Sequence, residues 1–248
     1  MRGLLPILKR ELLSLFVTPL AWVLSTVFLA LQGLHFYLLV ANFALSPGLA
    51  VDGGPVQAFF GQTVLLYLPL LLVCPLLTMR SFAEERRSGT IETLLTAPVD
   101  PAGVVLGKYL AAVVTYVALW APTVVYFALL DRVADVDWNV VATGYLGVVV
   151  IGAGYLAIGL LASALARSQL VAATTAMVAI VGLFMIGLGE MVFPPGLARE
   201  ASAHVSVWTT MNELSRGIVD SRRLVFGASV IAVPLFAAVR TVESWRWG

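Results

Sequence analysis

Charge is what this sequence has least of. Of its 248 residues 12% are Asp, Glu, Lys or Arg and 60% are hydrophobic, where soluble domains carry roughly 25% charged residues and about 45–50% apolar ones. A water-soluble chain of this composition would expose large apolar patches, whereas lipid solvates them. The net charge is +1, and no Lys/Arg block is long enough to follow a phosphate backbone, which excludes nucleic acid as a partner. The single cysteine, Cys74, lies in an apolar run. It excludes an internal disulfide and reads as a small buried hydrophobe. The two histidines, His35 and His204, stand far apart without partners at metal-ligand spacing. His35 falls in an apolar run, where packing against a neighbour competes with a proton-relay role. A phosphate loop is missing too. The nearest string, Gly103 to Tyr109, is one residue short of GxxxxGK[ST], has Tyr where the motif needs a hydroxyl beside Mg, and enters an apolar run instead of following a strand. Asp131, Asp135 and Asp137 fall in one short loop beside Trp138 and read as a solvated anchor. The expectation is a chain with no catalytic, metal or cofactor centre of its own.

What the sequence has is apolar length. A helix needs roughly 20 apolar residues to cross about 30 Å of hydrocarbon, and six runs qualify: 19–41, 56–79, 108–130, 139–165, 169–193 and 224–242. The expected fold class is an all-α membrane protein, one domain over 1–248. Thr18 is an expected N-cap and Pro19 suits a first helical position. The first run is too long for a signal peptide, and no small-residue cleavage site follows it, so a retained span is expected. Residues 1–18 place Leu5, Leu8, Leu12 and Leu15 at helical spacing with Lys9, Arg10 and Glu11 between them, the pattern of an amphipathic helix lying in the interface. Putting the N-terminus in the cytoplasm leaves ten of the Lys and Arg residues inside and five outside, with Arg222 and Arg223 the worst fit. Both termini are then cytoplasmic. Glycines in the fourth and fifth runs and prolines at 69, 75, 122 and 234 suit close helix packing and kinks.

Two polar features remain. Glu190 is an acid near the outer end of the fifth run, a candidate for translocation or gating by default, against the plain reading of a hydrated acid close to the headgroups. Residues 80–107 form the longest polar stretch. Glu84, Glu85, Arg86 and Arg87 follow a span directly, Ser88, Gly89 and Thr90 break the helix, and Ile91, Leu94 and Leu95 recur at helical spacing around Glu92 and Thr93. Pro98 and Pro101 are expected to end that short helix, with Lys108 marking re-entry into the membrane. Such an amphipathic element suits docking into a groove of a soluble partner, and equally suits a solvated loop resting on lipid.

This loop resembles the signature region of ABC-2 type transporter permeases, whose pattern is close to E-[EK]-[RK]-x-x-G-T-[ILM]-E-x-L-L-x-x-P-[VI], followed by G-K at the third span. Glu85, Arg86, Gly89, Thr90, Ile91, Glu92, Leu94, Leu95, Pro98, Val99, Gly107 and Lys108 match it. The six-run layout extends the resemblance over nearly the whole chain, and the string Asn212 to Asp220 is most similar to the gliding-motility (GldF-like) permease subunits. The resemblance implies the permease subunit of an ATP-binding cassette exporter in the bacterial cytoplasmic (inner) membrane. It implies a separate ABC ATPase subunit carrying ATP and Mg, with no cofactor on this chain. It further implies a second permease copy, identical or similar, with an accessory membrane or periplasmic subunit as a further candidate. The coupling residues would be Glu84, Glu85, Arg86, Arg87, Gly89, Thr90, Glu92, Leu94 and Leu95, and 194–223 would be an extracellular or re-entrant gate segment. Reversing Glu85 to Arg is expected to uncouple the protein without unfolding it. The competing classes are a non-transporting anchor or scaffold of a motility or secretion complex and an ion-coupled secondary carrier. The latter needs mid-membrane acids, which are absent apart from Glu190.

Overall fold

The computed structural model describes residues 4–45, 54–61, 63–91 and 99–245, and among them every regular element is helical. The elements are α1 (Leu4–Val17), α2 (Pro19–Leu45), α3 (Pro55–Gly61), α4 (Val64–Thr78), α5 (Ala83–Ser88), α6 (Pro101–Trp120), α7 (Val124–Leu130), α8 (Trp138–Leu165), α9 (Gln169–Val192), α10 (Leu197–Val205), α11 (Val207–Ser215) and α12 (Ser221–Ser244). Among the described residues, six stretches are long and apolar enough to cross a bilayer: Ala21–Leu45, Val64–Ser88, Pro101–Leu130, Trp138–Leu165, Gln169–Val192 and Ser221–Ser244. At a 1.5 Å rise, their 24–30 residues reach about 36–45 Å, more than the roughly 30 Å of a hydrocarbon core.

α8 is the axis of the bundle. In its most apolar window 61% of residues are buried, against 17% for the first and last spans, which therefore form the periphery. Its small residues make this position available to it. Gly144 lies against the ring of Phe60, Gly152 against Tyr116 and Gly159 against the Thr78 hydroxyl, so that α3, α6 and α4 approach its backbone directly. An aromatic cluster fills the adjoining space, with Phe28 and Trp120 edge to face at 4.9 Å and Phe59 and Phe127 at 5.3 Å. His35 is buried within it, stacked on Phe59 at 4.6 Å, with its two ring nitrogens 3.2 Å from Gln32 Oε1 and 2.6 Å from Thr63 Oγ1. Its surroundings are those of a packed histidine.

Several local expectations change. Thr18 does not cap α2, because its hydroxyl donates back to the Ser14 carbonyl at 2.5 Å. The run expected to start at Val56 divides into α3 and α4, with Thr63 extended at φ −125° and ψ 135° between them. The third long helix starts at Pro101, ahead of Lys108. Asp100 accepts a hydrogen bond from the Ala102 N–H at 3.3 Å and Pro101 occupies the first turn, so a proline expected to stop one helix instead opens the next. Pro122 sits in a single 3-10 turn, Ala121–Thr123, that joins α6 to α7. α1 is a separate helix; Ile7 is its buried residue, Leu8, Leu12 and Leu15 are half-buried, and Leu5 is 73% exposed.

Candidate functional site: the junction around α5

The polar groups gather at the end of the bundle where α1, α5, the start of α6, the α8–α9 turn and the end of α12 meet. α5 is the hub. Its sequence puts two acids in the first turn and two bases in the last, which complements the helix dipole. It ends at Gly89, whose φ of 72° lies in the left-handed region that glycine enters without strain. Its start lacks a cap of its own, and a neighbouring helix provides one. Ser163 of α8 accepts from the Phe82 and Ala83 N–H groups at 3.0 and 3.2 Å and donates to the Met79 carbonyl at 3.2 Å.

The charges of α5 point in different directions. Glu85 faces inward, where its Oε1 lies 2.6 Å from Arg10 Nη2 and 3.0 Å from Lys108 Nζ. Glu11 completes the group, with Oε1 2.9 Å from Lys108 and 2.8 Å from Arg10. Lys108 is 2% exposed and also lies over the Phe82 ring at 5.2 Å. Two cations and two anions thus join α1, α5 and α6, and the group is neutral. Burial works against the Glu11 charge, but Lys108 and Arg10 overcome it and hold the carboxyl below its ordinary range. One residue before Lys108, Gly107 lets α1 approach, since a Cβ there would lie 3.0 Å from Ile7 Cγ2 and 3.2 Å from the Leu4 carbonyl oxygen. The Gly-Lys pair of the sequence pattern is therefore a docking point for α1.

Arg86 also faces inward. Its Nη1 donates to the carbonyls of Ala164, Ala166 and Leu165 at 3.0, 3.3 and 3.5 Å, closing the end of α8, and its guanidinium sits 5.0 Å from the centroid of the Trp245 ring. Glu84 lines a cavity beside the junction. Arg87, Ser88, Gly89 and Thr90 are exposed. Glu92, Leu94 and Leu95 lie outside the described residues. Of the residues expected to contact a partner, Glu85 and Arg86 are instead engaged within the chain. Reversing Glu85 would leave the buried Lys108 facing two further cations, so this variant should lose stability as well as coupling, in contrast to the folded but uncoupled protein expected from the sequence. Sequence reasoning missed Glu11, Ser163 and Trp245, and took Lys108 for a boundary residue.

Glu190 lies at the opposite end of the bundle. It accepts a hydrogen bond from the Thr209 hydroxyl, whose own N–H donates to Ser206 Oγ at 3.1 Å. Beside it Arg223 forms a fork on Glu213, at 2.6 and 2.8 Å, and donates to the Ala203 carbonyl at 2.7 Å. Glu190 is thus tied to α11, which the Arg223 fork and its bond to Ala203 link in turn to α10 and the start of α12, and the ill-placed Arg223 is held by a carboxylate.

Among the described residues, six bilayer-length helices, five of them arranged about the buried fourth, with paired ionic groups at both ends, define a multi-pass membrane protein. The family model for "ABC-2 family transporter protein" matches residues 50–216, well over half of the sequence, and the chain belongs to that family. It is accordingly a permease component of an ABC transporter, a family whose members are transmembrane subunits without an ATPase site of their own. No curated protein matches the chain significantly.

Proposed function

We propose that this permease is an exporter subunit driven by a separate ABC ATPase subunit, which binds ATP and Mg and grips the tip of α5 and the segment that follows it. The observation that supports this most directly is the two-sided character of α5. Phe82, Glu85 and Arg86 fix it to α1, α6, α8 and Trp245, while Arg87 and Ser88 face outward. A push on the outer side is passed to membrane helices because the inner side has few ways to yield. Transmission requires contacts that differ between the two motor states, so the outward residues, with Glu92, Leu94 and Leu95 next in sequence, are the coupling surface. The permease works as a pair with a second copy or a similar chain in the bacterial inner membrane, both termini cytoplasmic. α10 and α11 act as the outer gate, with Glu190 at its hinge. Resemblance of Asn212 to Asp220 supports the gliding-motility-like subgroup, and export is the direction that resemblance implies.

Co-purification with the ATPase subunit, combined with Arg87→Glu and Leu94→Asp, tests this reading. Both variants are expected to insert and melt as the parent does, yet to lose the ATPase subunit and transport. Retention of the subunit and of transport by both variants would overturn it.

A further inference from the structure

A cavity lies beside the junction, between α1, α2, α4, α5 and α6, and has a volume of about 540 Å³, within the roughly 300–1,000 Å³ range of small-ligand sites. Its floor is apolar and comes from membrane-spanning helices, with Leu24, Leu77 and Ala112 among its residues, and its rim is ionic. That division places it at the depth where headgroups meet acyl chains.

The charges on the rim select the ligand. Arg10, Glu11, Glu85 and Lys108 all line the cavity, but they satisfy one another and sum to zero. Arg80 and Glu84 are left over. Both line the cavity and are exposed, and among the described residues no ion pair engages either side chain, not even with the other. One spare cation and one spare anion, unpaired with each other at the edge of a partly apolar cavity, complement a molecule with a phosphate, an ammonium and a greasy end. We propose that this cavity binds the headgroup of a zwitterionic aminophospholipid, with phosphate on Arg80, the primary ammonium on Glu84 and the first acyl carbons on the floor. An anionic headgroup without an amine leaves Glu84 facing like charge. A quaternary ammonium has no N–H to donate to the carboxylate. The site stands whether or not an ATPase grips α5, since Arg80 and Glu84 face the cavity while Arg87 faces away.

The test is native mass spectrometry of the purified full chain titrated with phosphatidylethanolamine, phosphatidylcholine or phosphatidylglycerol of identical chains. Phosphatidylethanolamine is expected to bind about three- to tenfold tighter than either of the others, the yield of one charge-assisted hydrogen bond at a part-exposed site. Glu84→Gln should level phosphatidylethanolamine with phosphatidylcholine, and Arg80→Gln should weaken all three. Ala21→Phe, which fills the apolar floor and leaves every charge in place, should abolish the preference even if a charge variant fails to fold. Glycerophosphoethanolamine, the same headgroup without chains, should not compete. The proposal is overturned if phosphatidylglycerol binds best, if the preference survives both Glu84→Gln and Ala21→Phe, or if the chain-free headgroup competes equally, which would make the ligand a soluble phosphoethanolamine compound.

Discussion

Replacing Lys108 by Met would test the ionic junction most severely. The side chain is 2% exposed and holds Glu11 and Glu85 at 2.9 and 3.0 Å. Methionine keeps the volume and the contact with Phe82 but leaves two half-buried carboxylates sharing Arg10 alone. Removing one partner of a buried pair costs about 3–5 kcal/mol. The acids retain Arg10 and are 17% and 16% exposed, which sets the expectation nearer about 2–3 kcal/mol. At about 2–4 °C per kcal/mol for a chain of this size, the melting midpoint should fall by about 5–10 °C. The assay is thermal unfolding in nanodiscs at one fixed scan rate, since such transitions depend on rate. The triple variant Lys108→Met, Glu11→Gln, Glu85→Gln should recover most of the loss, because the one charge it leaves, Arg10, is 56% exposed and is solvated by water. The pH dependence has a definite sign. The folded Glu11 carboxyl lies below its unfolded value, so its contribution is present above the ordinary carboxylate range and disappears as pH falls through the folded value. The gap between parent and Lys108→Met should therefore narrow on acidification. An unchanged midpoint for Lys108→Met, or a triple variant as unstable as the single, would refute the reasoning.

Three further outcomes follow from the same contacts. Ser163→Ala removes the acceptor for two buried N–H groups at the start of α5 and should cost about 1–3 kcal/mol, with hydrogen exchange rising first at Phe82 and Ala83. Arg86→Lys keeps the charge but not the planar fork that closes α8 and stacks on Trp245. It should lower stability by about 1 kcal/mol and shift the Trp245 fluorescence. Arg223→Gln breaks the fork on Glu213 and the bond to the Ala203 carbonyl, so limited proteolysis should cut within Leu197–Val205 several times faster while the six spans stay protected.

Apolar length was the legible part of the fold. A stretch near 20 apolar residues has few alternatives to crossing a bilayer, so the six runs and the all-helical class follow from composition. Side-chain direction was not legible. α5 is six residues long with charges all round, so no apolar stripe reveals which of Glu84, Glu85, Arg86 and Arg87 turns inward; contacts with α1, α6 and α8 decide that. The Glu11–Lys108 pair spans 97 residues and leaves no local signal. The start of α6 was readable, since Asp100-Pro101 is a cap followed by a first-turn proline, but a reading that treats proline only as a stop passes over it. Arg223 shows the complement: a count of positive charges registered it as an anomaly, and Glu213 explains it.

The outer tip of α5 is proposed to be a cytoplasmic surface held by a motor subunit. Cys74 is buried, so a cysteine at Arg87 can be followed in a Cys74→Ala background with a membrane-impermeant maleimide. Labelling is expected in inside-out vesicles, with protection once the ATPase subunit is added, and not in spheroplasts sealed right side out. Labelling from outside, or no protection by the ATPase subunit, would contradict the account.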